Sequence, residues 1–213
     1  MQAERQWFHE TRAKAVIQAL KGNRINGYFV QNRVNAVEQV LQLIPNQSLI
    51  AMGGSMTLFE TGIYDAIKKG NYNLIDRFEK GISQDEALTR LKTGLTADIF
   101  LAGVNAVTEQ GELVFVDASC TRVAPILFGP QKVILVSGCN KIVPNLAYAQ
   151  ERIRHFVAPA NARRLGRKTP CAKTGKCEDC SSPDRICNAT VVIHKQAFEQ
   201  RLHLVLVGET LGL

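Results

Sequence analysis

Four of the six cysteines, Cys171, Cys177, Cys180 and Cys187, fall in one polar, turn-rich stretch, CAKTGKCEDCSSPDRIC. Their spacing is C-x5-C-x2-C-x6-C, and Gly175 and Pro183 can turn the chain back so that the sulfurs converge. Cys177 and Cys180 have the separation by which neighbouring thiolates reach one ion, and the outer two cysteines could complete an all-sulfur, four-ligand shell. Disulfides, a redox-active pair and unmetallated thiols compete with that reading. A reducing compartment disfavours disulfides, and a thioredoxin-type pair belongs at a strand-to-helix junction, not in a long loop beside two further cysteines. Zinc sites commonly pair two short knuckles; one knuckle with two single ligands is closer to an irregular iron–sulfur loop. Lys173, Lys176 and Arg185 could offset the charge of either centre. The residues alone leave iron–sulfur and zinc open.

A second group of polar residues follows the apolar runs. In open α/β sheets ligands bind beyond the carboxyl ends of the strands. After SLIAM come Gly53, Gly54, Ser55 and Thr57; after DIFLAG come Asn105 and Glu109; after LVFVD come Ser119, Thr121 and Arg122; after KVILVSG come Asn140 and Lys141. A GGSMT turn opening a helix suits an anion, because glycines admit close approach and a helix N-terminus presents free N–H groups. It is neither a dinucleotide fingerprint nor a P-loop. Cys120 and Cys139 also follow strands, where a thiolate could act as nucleophile or redox group. The histidines, His9, His155, His194 and His203, share no spacing.

The elements that must position these residues alternate. Helical spacing over the first twenty residues (Trp7, Phe8, Thr11, Ala15, Val16, Ala19, Leu20) ends at Gly22. YFV, SLIAM, YNLID, ADIFLAG and KVILVSG are expected strands, and NAVTEQGELVFVDA two β segments about Gln110 and Gly111. Helices are expected over Ala36 to Leu43, from Thr57 with Glu60 as a capping box to about Lys69, from Ser83 with Glu86, and from Pro144 onward. TVVIHK and RLHLVLVGE form an expected terminal strand pair. Strand–helix alternation predicts a mostly parallel sheet covered on both faces.

The chain has 213 residues, 46% hydrophobic and 21% charged, which predicts one domain over 1–213 with residues 170–188 as a cysteine-rich loop. No apolar run is long enough to span a bilayer, and Glu4 and Glu10 interrupt any secretory signal, so a cytoplasmic protein without membrane insertion is expected. The net charge of +7 comes with only 7% aromatic residues and no recognition motif, which argues against nucleic acid. Part of the excess is local, in Arg152, Arg154, His155, Arg163, Arg164, Arg167 and Lys168: a solvated face, or a phosphate or carboxylate site.

The segments GGSMTLFETGI, TADIFLAGVNAVTEQGELVFVDASCTRVAPILFGPQKVILVSGCNKIV and TPCAKTGKCEDCSSPDRIC, in that order, resemble the LUD family, the domain of lactate-utilisation proteins of the LutC type. The cysteine-bearing tail resembles its short, free-standing members. The resemblance implies a Rossmann-like three-layer α/β/α unit, shared with ribose-phosphate isomerases, glucosamine-phosphate deaminases and CoA transferases. It implies a place in L-lactate oxidation or a related redox system beside iron–sulfur or oxidoreductase partners, and it tilts the cofactor toward [4Fe-4S], with Zn2+ as the alternative. On that pattern Gly53, Gly54, Ser55 and Thr57 hold the phosphate or carboxylate of a small anionic metabolite. Asn105, Glu109 and Asp117 line the reacting centre, and Arg122 is a carboxylate clamp. Isomerase-like relatives often carry an acid where this chain has Asn105, and an amide cannot serve as a general base. The competing function is a non-catalytic redox or iron sensor, and an oligomer is compatible with either.

Overall fold

The computed structural model describes residues 2–213; Met1, part of the domain expected over 1–213, lies outside the described residues. The strands are β1 (Asn26–Val30), β2 (Leu49–Met52), β3 (Asn73–Ile75), β4 (Ile99–Gly103), β5 (Ala106–Thr108), β6 (Leu113–Asp117), β7 (Lys132–Gly138), β8 (Ile142–Val143), β9 (Ala189–Ile193) and β10 (Leu202–Val207). The α-helices are α1 (Gln2–Gly22), α2 (Arg33–Gln42), α3 (Met56–Glu60), α4 (Ile63–Lys69), α5 (Gln84–Thr93), α6 (Val123–Leu127), α7 (Leu146–Arg152), α8 (Ala158–Arg164) and α9 (Pro170–Thr174).

Six strands form an all-parallel sheet in the order β1-β10-β7-β4-β2-β3. Its central strands are buried on both faces, which is why they read as unbroken apolar runs. Alternate residues divide between two cores. Ile50, Met52, Ile99, Leu101, Ile134, Val136, Val205 and Val207 pack with Ala36 and Val40 of α2, Leu58 of α3 and Ile63 and Ile67 of α4. Ala51, Phe100, Ala102, Val133, Leu135, Leu204 and Leu206 face Ala13, Val16 and Leu20 of α1, Val123 and Ile126 of α6, and Val107, Leu113 and Phe115. The result is a Rossmann-like three-layer arrangement.

The last three residues introduce a second sheet of four strands, β8-β5-β6-β9. Its other face carries Ala106, Val114 and Val143 against Ala149 of α7, Ile153 just after it and Ala158 of α8. A π-helical turn, Ile153–Val157, joins α7 to α8. The expected terminal strand pair divides between the sheets: β9 runs antiparallel to β6, while β10 lies between β1 and β7. Adjacency in sequence does not decide this, because half-buried β9 suits a two-layer edge and fully buried β10 suits the centre of the parallel sheet.

Local signals were obeyed unevenly. Ser83 Oγ accepts from Glu86 N at 3.1 Å, as its spacing predicts. The helix expected from Thr57 to Lys69 is broken at Gly62, which caps α4 in the left-handed region at φ +81. Thr57 and Glu60 make no capping box: Ser55 is the N-cap, and both side chains have tertiary partners described below. Asn145, not Pro144, opens α7, its side chain accepting from Tyr148 N. Trp7 and Phe8 are exposed, so the apolar face of α1 is Ala13, Val16 and Leu20. Leu135→Ala should cost about 2–5 kcal/mol of unfolding free energy, read from the shift in the urea midpoint, because Leu135 is fully buried at the centre of β7.

Candidate functional site

β2 leads outward to β3, whereas β4 leads toward β7 and β10, so the order of connections reverses between β2 and β4. Open α/β sheets leave a crevice at such a point, beyond the strand ends. A cavity of about 310 Å3 lies there, lined by residues following β2, β3, β4 and β6 and by α8. Gly54, Ser55, Thr57, Asn105, Asp117, Arg122 and Lys141 from the sequence-derived set line it. So do Arg77, Arg164 and Arg167. Five basic side chains therefore face one acidic side chain, Asp117.

Arg122 organises the wall. Its Nη1 donates to Gly103 O at 2.9 Å, and its Nη2 donates to Asn105 Oδ1 and Val116 O, each at 2.8 Å. Its Nε stands 3.6 Å from Asp117 Oδ2. The rigid guanidinium fork thus spends most of its five donors on the protein. It is a brace between strand ends, with these donors already committed to protein acceptors. Gly53 belongs to the brace as well: a Cβ there would stand 2.8 Å from Arg122 Cγ, so glycine lets the arginine stem pass. Asn105 Oδ1 also accepts from Val116 N at 2.9 Å, which fixes the amide and leaves its NH2 as a donor.

Lys141 is 4% exposed. Its Nζ donates to Thr57 Oγ1 at 3.0 Å and to Val104 O at 3.3 Å. Burial pulls its pKa down to about 7, with Arg152 and Arg122 adding to the shift and Glu60 opposing it. Glu60 is held elsewhere, accepting from Gly212 N at 2.6 Å. Gly212 lies against the lysine at φ +59, and a Cβ there would stand 2.6 Å from Thr57 Oγ1.

The remaining basic residues divide by location. Arg77 follows β3, lies over the Phe78 ring at 4.5 Å, and has a buried Nε with no hydrogen-bond partner among the described residues. It was legible only as the first cation after an apolar strand. Arg164 and Arg167 bring part of the basic span into the cavity lining. Arg152 Nη1 donates to Asn105 O, and His155 pairs with Glu151 on the surface.

Other expected residues are placed apart. Glu109 pairs with Arg12 at 2.9 Å on the β5–β6 hairpin and does not line the cavity. Asn140 holds the C-terminal segment, accepting from Leu211 N at 3.1 Å. Cys139 is buried in the core, and burial pushes its thiol up to about 12, so it packs as a small apolar group. Cys120 is exposed and stands outside the cavity lining.

The four-cysteine loop adjoins the cavity. Asn188 N donates to Asp117 O at 3.0 Å, Lys168 N donates to Asp184 Oδ2 at 2.8 Å, and Ile186 lines the cavity itself. Arg185 runs through the loop, donating to Cys180 O at 2.6 Å and Cys187 O at 3.2 Å and pairing with Asp179. Burial pushes the Cys187 thiol up; Arg185 opposes this, and Cys177 and Cys180 add to it. These three sulfurs are thus within electrostatic range. All four thiols are free, and among the described residues no group of three or more Cys, His, Asp or Glu is set to hold a metal ion. The donor chemistry suits a thiophilic metal; a ready-made cage is not formed.

A parallel α/β sheet with a polar crevice at its connection reversal defines a Rossmann-like class of domain. The pattern of the LUD domain matches residues 13–207, and the chain belongs to the LUD-domain family. Its fold is similar to that of a DUF162 family protein from Deinococcus radiodurans, with TM-score 0.51 and 12% identity over 95% of this chain and 98% of that one. Looser likenesses are to eIF2B delta from Chaetomium thermophilum (TM-score 0.36, 18% identity, 56% of this chain and 50% of that one) and to eIF2B beta from the same organism (0.35, 16%, 55% and 43%). No curated protein matches the chain. No helix among the described residues is long and apolar enough to cross a membrane.

Two outcomes follow from this geometry. Arg122→Lys should lower stability by about 1–3 kcal/mol in urea unfolding, since one ammonium cannot satisfy the buried acceptors that the fork bridges. Lys141 has a folded pKa of about 7 against an ordinary value of about 10.4, so between them the unfolded chain binds a proton that the folded chain does not. Stability from this group therefore rises with pH across that window, and below it the burial penalty is complete. Relative to Lys141→Met, the wild type should gain stability between about pH 7 and about pH 10.

Proposed function

We propose that this LUD-domain protein serves organic-acid utilisation by binding a small anionic metabolite in the cavity at the β2/β4 reversal. Four guanidinium groups and Lys141 set against one acidic side chain, Asp117, are the observation that carries the proposal. Arg77 has a buried donor without an acceptor among the described residues, and Arg164 and Arg167 line the same cavity, which suits a carboxylate or phosphate. Asn105 supplies a neutral donor, and the Arg122 guanidinium and the Val116 N–H keep it in place. The cavity volume matches a small metabolite. Lactate chemistry comes from the family resemblance, and the polar, cationic lining is compatible with a small organic acid.

The same proposal gives the loop of Cys171, Cys177, Cys180 and Cys187 a metal centre, [4Fe-4S] with Zn2+ as the alternative. An all-sulfur donor set and the mutual influence of three thiols support it, and the loop would have to draw together on loading. Such a centre would supply electron transfer if iron–sulfur, or folding energy alone if zinc. The seating of the loop on Asp117 and Ala118 favours, as a second reading, a sensor in which the thiols report to the cavity.

Inorganic phosphate at about a hundredfold its Kd should stabilise the fold by about 2.7 kcal/mol, which raises the Tm by about 5–10 °C for a chain of this size. Arg77→Ala and Arg164→Ala should each abolish most of that shift; persistence of the shift in both would overturn the cavity assignment. Protein purified without oxygen should contain iron or zinc that Cys177→Ser loses, as read by elemental analysis and the visible spectrum. Metal-free wild type would exclude the centre.

A further inference from the structure

We propose that Lys141 is an amine nucleophile that captures the carbonyl carbon of a small aldehyde or ketone whose carboxylate or phosphate is held by Arg77, Arg164 and Arg167. This rests on the anion cavity proposed above and adds a covalent step to it.

The placement of Lys141 is unusual for a structural lysine. It lies in the cavity wall, yet its only hydrogen-bond partners among the described residues are neutral oxygens, Thr57 Oγ1 and Val104 O. Among the described residues no carboxylate side chain forms an ion pair with it; Glu60 acts on it electrostatically, and its Oε2 is occupied by Gly212 N. The charged groups acting on it from the surrounding elements are Arg122 from the turn before α6, Arg152 from α7 and Glu60 from α3. A desolvated lysine among cations and without a counterion favours the neutral amine, the state that adds to carbonyls. With its pKa near 7, its neutral fraction at pH 7 is about a thousandfold that of an ordinary lysine.

The chemistry needs no oxidant. The Nζ lone pair adds to the carbonyl carbon, and the carbonyl oxygen takes a proton to give a carbinolamine. Nitrogen then loses a proton, the hydroxyl leaves as water, and amine plus carbonyl have become imine plus water. Thr57 Oγ1, 3.0 Å from Nζ, is placed to relay a proton between nitrogen and the departing hydroxyl. Asn105 offers its amide to the carbonyl oxygen. The guanidinium groups of Arg77, Arg164 and Arg167, which line the same cavity, bind the anionic end, which makes the reaction effectively intramolecular.

The test is reductive trapping of the full chain. Glyoxylate tests the carboxylate class and glyceraldehyde 3-phosphate the phosphate class, each with borohydride and peptide mass mapping at graded pH. The expected result is a secondary amine on Lys141 with at least one probe, formed at least about tenfold faster at pH 7 than on any other lysine. Its rate should reach half its maximum near pH 7, and an excess of inorganic phosphate should suppress it. Arg77→Ala should slow it at least tenfold without altering the labelling of surface lysines. Lys141→Arg serves as the control when its circular dichroism and Tm match the wild type; if that variant does not fold, the peptide map and pH profile of the wild type decide alone. Labelling spread over surface lysines with an alkaline profile, or none at Lys141 while phosphate still raises the Tm, overturns the nucleophile and leaves the anion site standing. No labelling and no phosphate shift together overturn both.

Discussion

The guanidinium of Arg122 reaches four groups on two sheets. Gly103 O and Asn105 Oδ1 lie at the end of β4 and just beyond it, and Val116 O and Asp117 at the end of β6. The parallel sheet and the smaller sheet would otherwise meet there through backbone acceptors with nothing to bond, in a place too enclosed for water to serve freely. Buried acceptors left unpaired cost about as much as several good contacts supply. A planar fork satisfies them at once, and the glycine at position 53 clears its path. The cavity is the space beside this brace, and its shape depends on the brace staying put.

Charge follows from the same construction. Once Arg122 is committed to the protein, Asp117 is partly neutralised, and Arg77, Arg164, Arg167 and Lys141 remain as a basic lining without a side-chain ion-pair partner among the described residues. A wall of that kind is costly for the empty protein, because like charges repel and buried cations lose water. Proteins keep such arrangements at functional sites more than at structural ones. Lys141 responds by giving up its proton near neutrality, which relieves the repulsion and leaves an amine in the crevice.

The cysteine loop and the cavity share a boundary. Asn188, next to Cys187, bonds the backbone at Asp117 and Ala118, and Ile186 reaches the lining. The π-helical turn between α7 and α8 precedes the residues of α8 that complete the opposite side, and such turns are frequent where a helix must re-aim side chains at a site. The loop and the residues around Asp117 are thus joined directly by short hydrogen bonds.

What the sequence by itself determined was local and chemical. Apolar runs buried on both faces marked the central strands, Ser83 and Glu86 marked a helix start, and polar residues after those runs marked most of the crevice. The cysteine spacing named a donor set. Tertiary structure decided which side chains share a space. Thr57 and Glu60 have capping spacing, but a buried lysine and the backbone at Gly212 claim them, since a desolvated ammonium needs an acceptor more than a helix end open to water does. Glu109 looked central in sequence and is drawn to Arg12, ninety-seven residues away along the chain, on a hairpin facing elsewhere. Arg77 became part of the site only because β3 pairs beside β2, and β9 and β10 parted because burial on one face or two selects the sheet a strand can join. Spacing along a chain fixes neighbours within one element, whereas the meeting of elements is set by long-range burial that no single stretch encodes.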